Sequence, residues 1–361
     1  TGMCPCAEIS AKPIDPNKPF ALTETEWLSL RESELGFLWQ TEGLQDDNTS
    51  GLLKMSTFVE SNNKFYYVDQ ENHTVNSIEF DGSNPQVLVN ENDYIEGIIV
   101  TEQYLYVKYG YEYTRLVQYS LDGQDGCLLV AAETIDSLYF CNGMLYFLVG
   151  SSDTFCGAIK KESEAVPMGV GEIEILDSQE DAIYYMDHNG DLKRMNMDGT
   201  DQEILVSGGP YGFWIGIWDD KAHSFYDEKE WDSEIKFLTY DYISGDTEEQ
   251  NIELVGEIRK TDMDFASPSG EGPALNCDDK YFLYEDDGGI WSFDKNSKKS
   301  TLAVPDDDTL HGLWRIEGAT RPYYLREDGL YYVNLENGQE EFLFKIDLLE
   351  KMGLSSIDLF V

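Results

Sequence analysis

Basic side chains are scarce in this sequence. Twenty-five Lys and Arg face 70 Asp and Glu, for a formal net charge of −45 at pH 7. Binding a phosphate backbone takes a stripe of cations, so nucleic acid is excluded as a partner. An anionic membrane surface would repel such a chain. Cysteine is sparse as well: Cys4, Cys6, Cys127, Cys141, Cys156 and Cys277, with no Cys-x-x-Cys pair. The step Cys4-Pro5-Cys6 is too tight for a zinc knuckle, and six scattered cysteines make no disulfide framework in a chain of 361 residues. No apolar run reaches the ~18 residues of a membrane-spanning helix. The four histidines, His73, His188, His223 and His311, stand apart from one another, so neither a His-dependent nucleophile nor a zinc site is expected. G-x-S-x-G, H-E-x-x-H, the P-loop and G-x-G-x-x-G are all missing. Long amphipathic helices are missing too; residues 24–33 are the one helical candidate, with Thr23 and Glu26 as a capping box.

What the chain does have is aromatic residues, 13% of the total with 23 Tyr, and 31 Gly against 11 Pro, the mixture of strands and tight turns. An aromatic strand recurs as Phe65-Tyr66-Tyr67, Tyr104-Leu105-Tyr106, Leu145-Tyr146-Phe147, Ile183-Tyr184-Tyr185, Phe225-Tyr226, Phe282-Leu283-Tyr284 and Tyr323-Tyr324. From Tyr66 through Tyr106, Tyr146, Tyr184, Tyr226 and Tyr284 to Tyr324 the steps are 40, 40, 38, 42, 58 and 40 residues, the long step leaving room for an insertion. Each aromatic strand is followed by an alternating strand that ends in an acidic or glycine turn. Asp81-Gly82, Asp122-Gly123 and Asp198-Gly199 are the clearest; Asp241 with Gly245, Asp294, and Glu336 with Gly338 are weaker, and the third unit has only Gly157-Ala158-Ile159. Asp-Gly between alternating strands signals a hairpin whose two central residues take positive φ. A short apolar strand follows (Val87-Leu88-Val89, Leu128-Leu129-Val130, Ile204-Leu205-Val206, Thr301-Leu302-Ala303, Phe342-Leu343-Phe344), and another precedes the aromatic one, as at Ile98-Ile99-Val100. Four strands in about 40 residues make a propeller blade. The expected fold is all-β, a β-propeller of about seven four-stranded blades, with six or eight as alternatives. A sandwich would not repeat its sequence at this period, and a linear solenoid would leave its edges open.

The expected division is an N-terminal linker over residues 1–20, polar and Pro-rich; an extension over 21–47; and the propeller over 48–361. Because the sequence opens on Thr1, a removed signal peptide is expected upstream, with Cys4 a candidate for lipid attachment.

Around residues 187–206, preceded by Ile183-Tyr184-Tyr185, the sequence resembles propellers related to the YWTD repeats of the low-density-lipoprotein receptor. It is most similar to a bacterial, mostly Firmicute, domain of unknown function grouped with the receptor-related-protein propellers. Asn48-Thr49-Ser50-Gly51 followed by Lys64-Phe65-Tyr66-Tyr67 matches that family's opening, and the resemblance covers roughly residues 48–345. The literal YWTD tetrad is missing. The resemblance implies a fold and an exported or surface-attached protein, and no reaction.

No catalytic residue, metal ligand or cofactor is expected. Asp187-His188-Asn189-Gly190-Asp191, Asp286-Asp287 and Asp306-Asp307-Asp308 could offer oxygen ligands to calcium, but Asn189-Gly190 is accounted for as a turn and the full EF-hand spacing is absent. Aromatic connections are better candidates. The segment 208–218 is read as a glycine-rich loop between the fourth and fifth units. Tyr211, Trp214 and Trp218 on it, with Trp314 and Arg315 at the last unit, form the expected binding set. Large aromatics packed between blades would give the same sequence. The expectation is a monomeric, extracellular or surface-anchored, non-enzymatic binding propeller whose partner is a protein, peptide or glycan. The alternative is a propeller enzyme, a glycoside hydrolase or calcium-dependent lactonase, marked by converging carboxylates of perturbed pKa at the channel mouth.

Overall fold

The computed structural model describes residues 45–345 apart from gaps, of which 252–273 is the longest. It also describes Phe37–Trp39 and a few isolated positions. Thr25, Glu26 and Ser29 are helical; the rest of the expected helix, and residues 1–20, lie outside the described set.

Seven antiparallel sheets follow one another along the described chain, each with its four blade strands in sequence order. Blade 1 is Phe58–Ser61, Lys64–Asp69, Thr74–Glu79 and Gln86–Asn90. Blade 2 is Ile95–Val100, Tyr104–Tyr109, Thr114–Ser120 and Cys127–Ala132. Blade 3 is Ile135–Cys141, Met144–Val149 and two short strands, Thr154–Gly157 and Val166–Pro167, where the repeat is weakest in sequence. Blade 4 is Ile173–Gln179, Ala182–Asp187, Leu192–Asn196 and Glu203–Val206. Blade 5 is Gly212–Trp218, Lys221–Asp227, Ile235–Asp241 and Thr247–Asn251. Blade 6 is Ala274–Asn276, Tyr281–Asp286, Gly289–Asp294 and Lys299–Pro305. Blade 7 is Leu310–Trp314, Tyr323–Arg326, Gly329–Asn334 and Gln339–Lys345. The long step in the repeat falls between blades 5 and 6, at residues 252–273. First strands touch between blades 1 and 2, 4 and 5, and 5 and 6, so the first strands line the axis and the fourth strands form the rim.

Among the described residues the four strands of every blade are continuous in sequence, and no strand is shared across the closure. Blade 7 instead meets blade 1 face to face. Tyr323, Leu325, Leu330 and Phe344 pack on Phe58, Phe65, Tyr67 and Ile78, with the Phe65 ring 5.6 Å from Tyr323 and 5.4 Å from Phe344. The Tyr323 hydroxyl donates to Glu60 Oε2 at 2.5 Å across this seam, both residues being buried. Similar tyrosine contacts recur around the ring. Tyr146 OH donates to the Met197 carbonyl of the next blade (2.9 Å), and Tyr106 OH to Asp47 Oδ2 (3.0 Å).

The Asp-Gly hairpins are corrected in detail. Gly82, Gly123 and Gly199 have φ of 77°, 76° and 81°, while the preceding aspartates do not reach positive φ. Gly82 N–H bonds the Glu79 carbonyl and Glu79 N–H the Ser83 carbonyl, and the same pair of bonds closes 120–124, 187–191 and 196–200. These are three-residue loops, a type I turn followed by a left-handed glycine. One residue without a Cβ meets their need, and Asp avoids the steric cost of positive φ. The Asp carboxylates cap the turns: Asp81, Asp122 and Asp198 accept the N–H of Ser83, Gln124 and Thr200. In blades 5 to 7 the loop is one residue longer, closed by Gly245, Lys298 and Gly338 N–H on the carbonyls four residues back.

Candidate ligand-binding face

The channel side of blades 2 to 4 is built by a segment that precedes blade 1. Asp47 is buried and accepts hydrogen bonds from the Thr101 hydroxyl (2.6 Å), Tyr106 OH (3.0 Å) and Thr49 N–H (3.0 Å). Burial and the nearby Asp47 charge both push the Tyr106 hydroxyl pKa up. The Gln118 side chain brackets residue 45, accepting its N–H and donating to its carbonyl. Gly51, at φ 90°, then turns the chain inward, exchanging hydrogen bonds with Asn142. Leu52–Lys54 pairs with Ile135–Cys141, the first strand of blade 3, on its free axial edge. Met55 N–H reaches the Leu138 carbonyl, and Ser56 bridges to Ile98 of blade 2. A Cβ on Gly97 would lie 2.8 Å from the Met55 side chain, so any other residue there would force the strap's Met55 to shift. The Asn48-Thr49-Ser50-Gly51 signature is therefore the entry of the chain into the ring.

The strap carries one cation into the channel. Lys54 Nζ lies 3.2 Å from Glu174 Oε1 on the first strand of blade 4 and 6.0 Å from the Tyr139 ring centre. On blade 2, Lys108 Nζ donates to Glu96 Oε1 at 2.6 Å. Burial lowers the Lys108 pKa, against which Glu96 and Asp136 raise it. Nearby, buried Arg115 pairs with Asp93 and lies over the Tyr109 ring, and burial pulls its pKa down to about 10. Thus Glu96 and Glu174, two of the carboxylates on the axial strands, neutralise lysines of the scaffold.

A feature that the sequence reading missed orders these groups. The first strand bulges in five blades: at Ile95/Gly97, Ile135/Leu138, Ile175/Asp177, Trp214/Gly216 and Leu310/Gly312. Glu96, Asp136 and His311 are among the residues extruded there. The available signal was a dipeptide ending in glycine, Glu96-Gly97, Ile215-Gly216 and His311-Gly312, since glycine accommodates the bend.

The expected binding residues separate. Segment 208–218 is not a loop throughout: Gly212–Trp218 is the first strand of blade 5, with Gly216 serving its bulge. Its aromatic and β-branched residues favour a strand, and that outweighs the flexibility of its glycines. Trp214 and Trp218 thus stand on an axial strand, and so does Trp314 in blade 7. Their side chains, and Tyr211 and Arg315 altogether, lie outside the described set. Two of the acidic clusters give an aspartate to the fold, while Asp287, Asp308 and the side chain of Asp286 lie outside the described residues. Burial raises the Asp187 pKa, but Lys193 at 2.5 Å and the Asn189 and Asp191 amides outweigh it and hold it low. Asp307 accepts from Arg326 and Thr309. Among the described residues no group of three or more His, Cys, Asp or Glu could hold a metal ion. Cys141 is a buried free thiol, and burial pushes its pKa up to about 11.

No protein-family profile matches the sequence, and no curated protein matches it. Solved structures do. The β-propeller domain of the Trilobed protease from Pyrococcus furiosus, described as having an open velcro topology, is similar at TM-score 0.51 and 14% identity over 84% of this chain and 97% of that one. The computationally designed Ika8 protein gives 0.51 and 11% over 82% and 87%. Porphyromonas gingivalis dipeptidyl peptidase 4 gives 0.50 and 9% over 83% of this chain, which spans 53% of the peptidase. At these identities the likeness speaks for fold alone, and it agrees with the seven sheets: the chain is a β-propeller.

Proposed function

We propose that this chain is a non-enzymatic binding propeller acting outside the cell or at its surface, related to the YWTD-type propellers. One face of the ring would take a protein, peptide or glycan. One observation carries the reading: three tryptophans, Trp214, Trp218 and Trp314, stand on axial strands of blades 5 and 7, across the ring from a strap that fills the side of blades 2 and 3. Aromatic residues beside an acidic body suit stacking on a sugar or gripping a peptide. The ion pairs of Glu96 and Glu174 also favour binding over catalysis, because a general acid needs a carboxyl freed from such a partner. Tyr211 and Arg315 flank the tryptophan-bearing strands in sequence and complete the proposed face.

The test is Trp214→Ala, assayed on glycan and peptide arrays and by thermal melting. The expected result is an unchanged melting temperature with array signal lost. Destabilisation by the ~3–5 kcal/mol of a large core truncation would make Trp214 a packing residue and refute the face. Turnover of a glycoside or lactone, abolished by Glu96→Gln or Glu174→Gln, would replace the binding reading with an enzyme.

A further inference from the structure

The rim carries a second pattern, independent of the ring face. One outer strand is already covered: Phe37–Trp39 pairs with Cys127–Ala132 as a fifth strand on blade 2, Phe37 opposite Ala132 and Trp39 opposite Val130. Elsewhere the outer strand is the terminal strand of its sheet among the described residues. Among the described residues four large apolar side chains are exposed, and all stand on such outer strands: Val87 (61%), Ile204 (55%), Leu302 (40%) and Phe342 (47%). Their positions are equivalent. In each, the ladder skips one residue of the outer strand, and the exposed residue lies just before the skip: Val87/Val89, Ile204/Val206, Leu302/Val304 and Phe342/Phe344. The bulge turns the second residue of each pair toward the next blade and leaves the first at the rim, where blades splay apart.

Blade 7 stands out among the four. A row of rings crosses its sheet to the edge, Tyr324 to Tyr331 at 5.6 Å and Tyr331 to Phe342 at 5.2 Å. The buried end of that row already holds a guanidinium, with Arg326 5.5 Å from the Tyr324 ring centre and 5.9 Å from Tyr331. On the other face of the blade, Arg321 lies 4.7 Å over Phe80 and 5.0 Å over Tyr332. The exposed end of the row is preceded by two exposed acids: Glu340, whose Oε2 already accepts from Tyr324 OH (2.5 Å) and Arg326 (3.1 Å), and Glu341. Val87 and Leu302 follow the neutral Gln86 and Thr301.

We propose that the outer strand of blade 7, Gln339–Lys345, is a docking edge for an extended basic segment of another protein, added as a fifth strand in the manner of Phe37–Trp39 on blade 2. The strand's outer main-chain groups, which pair with no strand among the described residues, supply the ladder, and Phe342 receives an apolar side chain. Glu341 and the exposed end of the ring row attract lysine or arginine. A second copy of the chain is disfavoured as the occupant, because each copy carries −45 charges.

The probe is a capped (Val-Lys)4 peptide titrated against the full chain, beside (Val-Glu)4 and a (Val-Lys)4 analogue with proline at alternate positions. The expected result is saturable binding of (Val-Lys)4 alone, weakened at least 10-fold by Phe342→Ser and unchanged by Ile204→Ser or Trp214→Ala. Because Phe342 stands half exposed at the rim and loses mainly its contact with Tyr331, its removal lowers the melting temperature only slightly and leaves the chain folded. Absent binding overturns the proposal. So does equal binding of the proline analogue, which would show charge attraction without strand addition, or an equal loss in Phe342→Ser and Ile204→Ser. Array binding of a glycan that Phe342→Ser removes would assign the edge to sugar and equally overturn it. The ring-face function is tested by other residues and stands or falls separately.

Discussion

Removing one hydroxyl at the closure should weaken the whole ring. Tyr323→Phe keeps the ring that contacts Phe65 and deletes only the donor to Glu60. No cavity forms, so the cost is that of a hydrogen bond to a charged acceptor, about 1.5–3 kcal/mol, plus the discomfort of a carboxylate left in a seam where it is only 9% exposed. We expect about 2–3 kcal/mol in urea denaturation. Tyr146→Phe, which breaks a bond to a neutral carbonyl, should cost about 1 kcal/mol. A double-mutant cycle with Glu60→Gln isolates the pair. The urea slope should not change, because closure by side-chain packing makes the seam part of one cooperative unit. If Tyr323→Phe lies within ~0.5 kcal/mol of the parent, the seam does not hold the ring, and closure has to come from elsewhere.

Other outcomes follow from the same structure. Buried Tyr106, Tyr109 and Tyr146 all have hydroxyl pKa values pushed above 10.0, chiefly by burial. The folded chain keeps protons that the unfolded chain loses, so their contribution is intact below pH 10 and falls above it. Each tyrosine should take away up to ~1.4 kcal/mol per pH unit, read by urea denaturation between pH 9 and 11 beside tyrosinate absorbance. Asp93→Ala leaves Arg115, 1% exposed, without its carboxylate and should cost about 3–5 kcal/mol, whereas Asp93→Leu with Arg115→Met should recover most of it. Gly123→Ala combines φ of 76° with a Cβ 2.0 Å from the Leu88 carbonyl oxygen; Gly245→Ala, at φ 75°, meets nothing within 4 Å. Urea midpoints should show the second losing about 1 kcal/mol and the first clearly more.

The fold was legible because each unit spells out its own turns and its aromatic second strand. Tyr66, Tyr106 and Tyr146 keep their spacing since each faces the following blade, a place that Tyr323 rather than Tyr324 fills in blade 7, and the Asp-Gly pairs keep theirs since the third and fourth strands need a left-handed residue between them. Physical reasoning erred where a local signal had two solutions. Asp-Gly suits both a two-residue and a three-residue loop, and the glycines of 208–218 suit a flexible loop as well as a bulged strand. The strap could not be read at all. Gly51, Lys54 and Gly97 gain their meaning from Asn142, Glu174 and Met55, partners set by the closed ring and invisible to any window along the chain. The candidate face was legible only as residue types, because the sequence offers aromatics without saying which strand edge they occupy.

The face-to-face seam also sets a timetable for synthesis. Glu60 and its partner Tyr323 are 263 residues apart. At ribosomal speeds of about 5–20 residues per second, blade 1 waits roughly 13–50 s for the partner that covers Phe58 and Phe65. Strap docking comes due much earlier, once Asn142 and Glu174 have emerged. The nascent chain thus passes through an open crescent, latched at blades 2 to 4 and carrying a bare aromatic flank on blade 1. That flank is the surface a holding chaperone would meet, and the last blade to leave the ribosome is the one that displaces it.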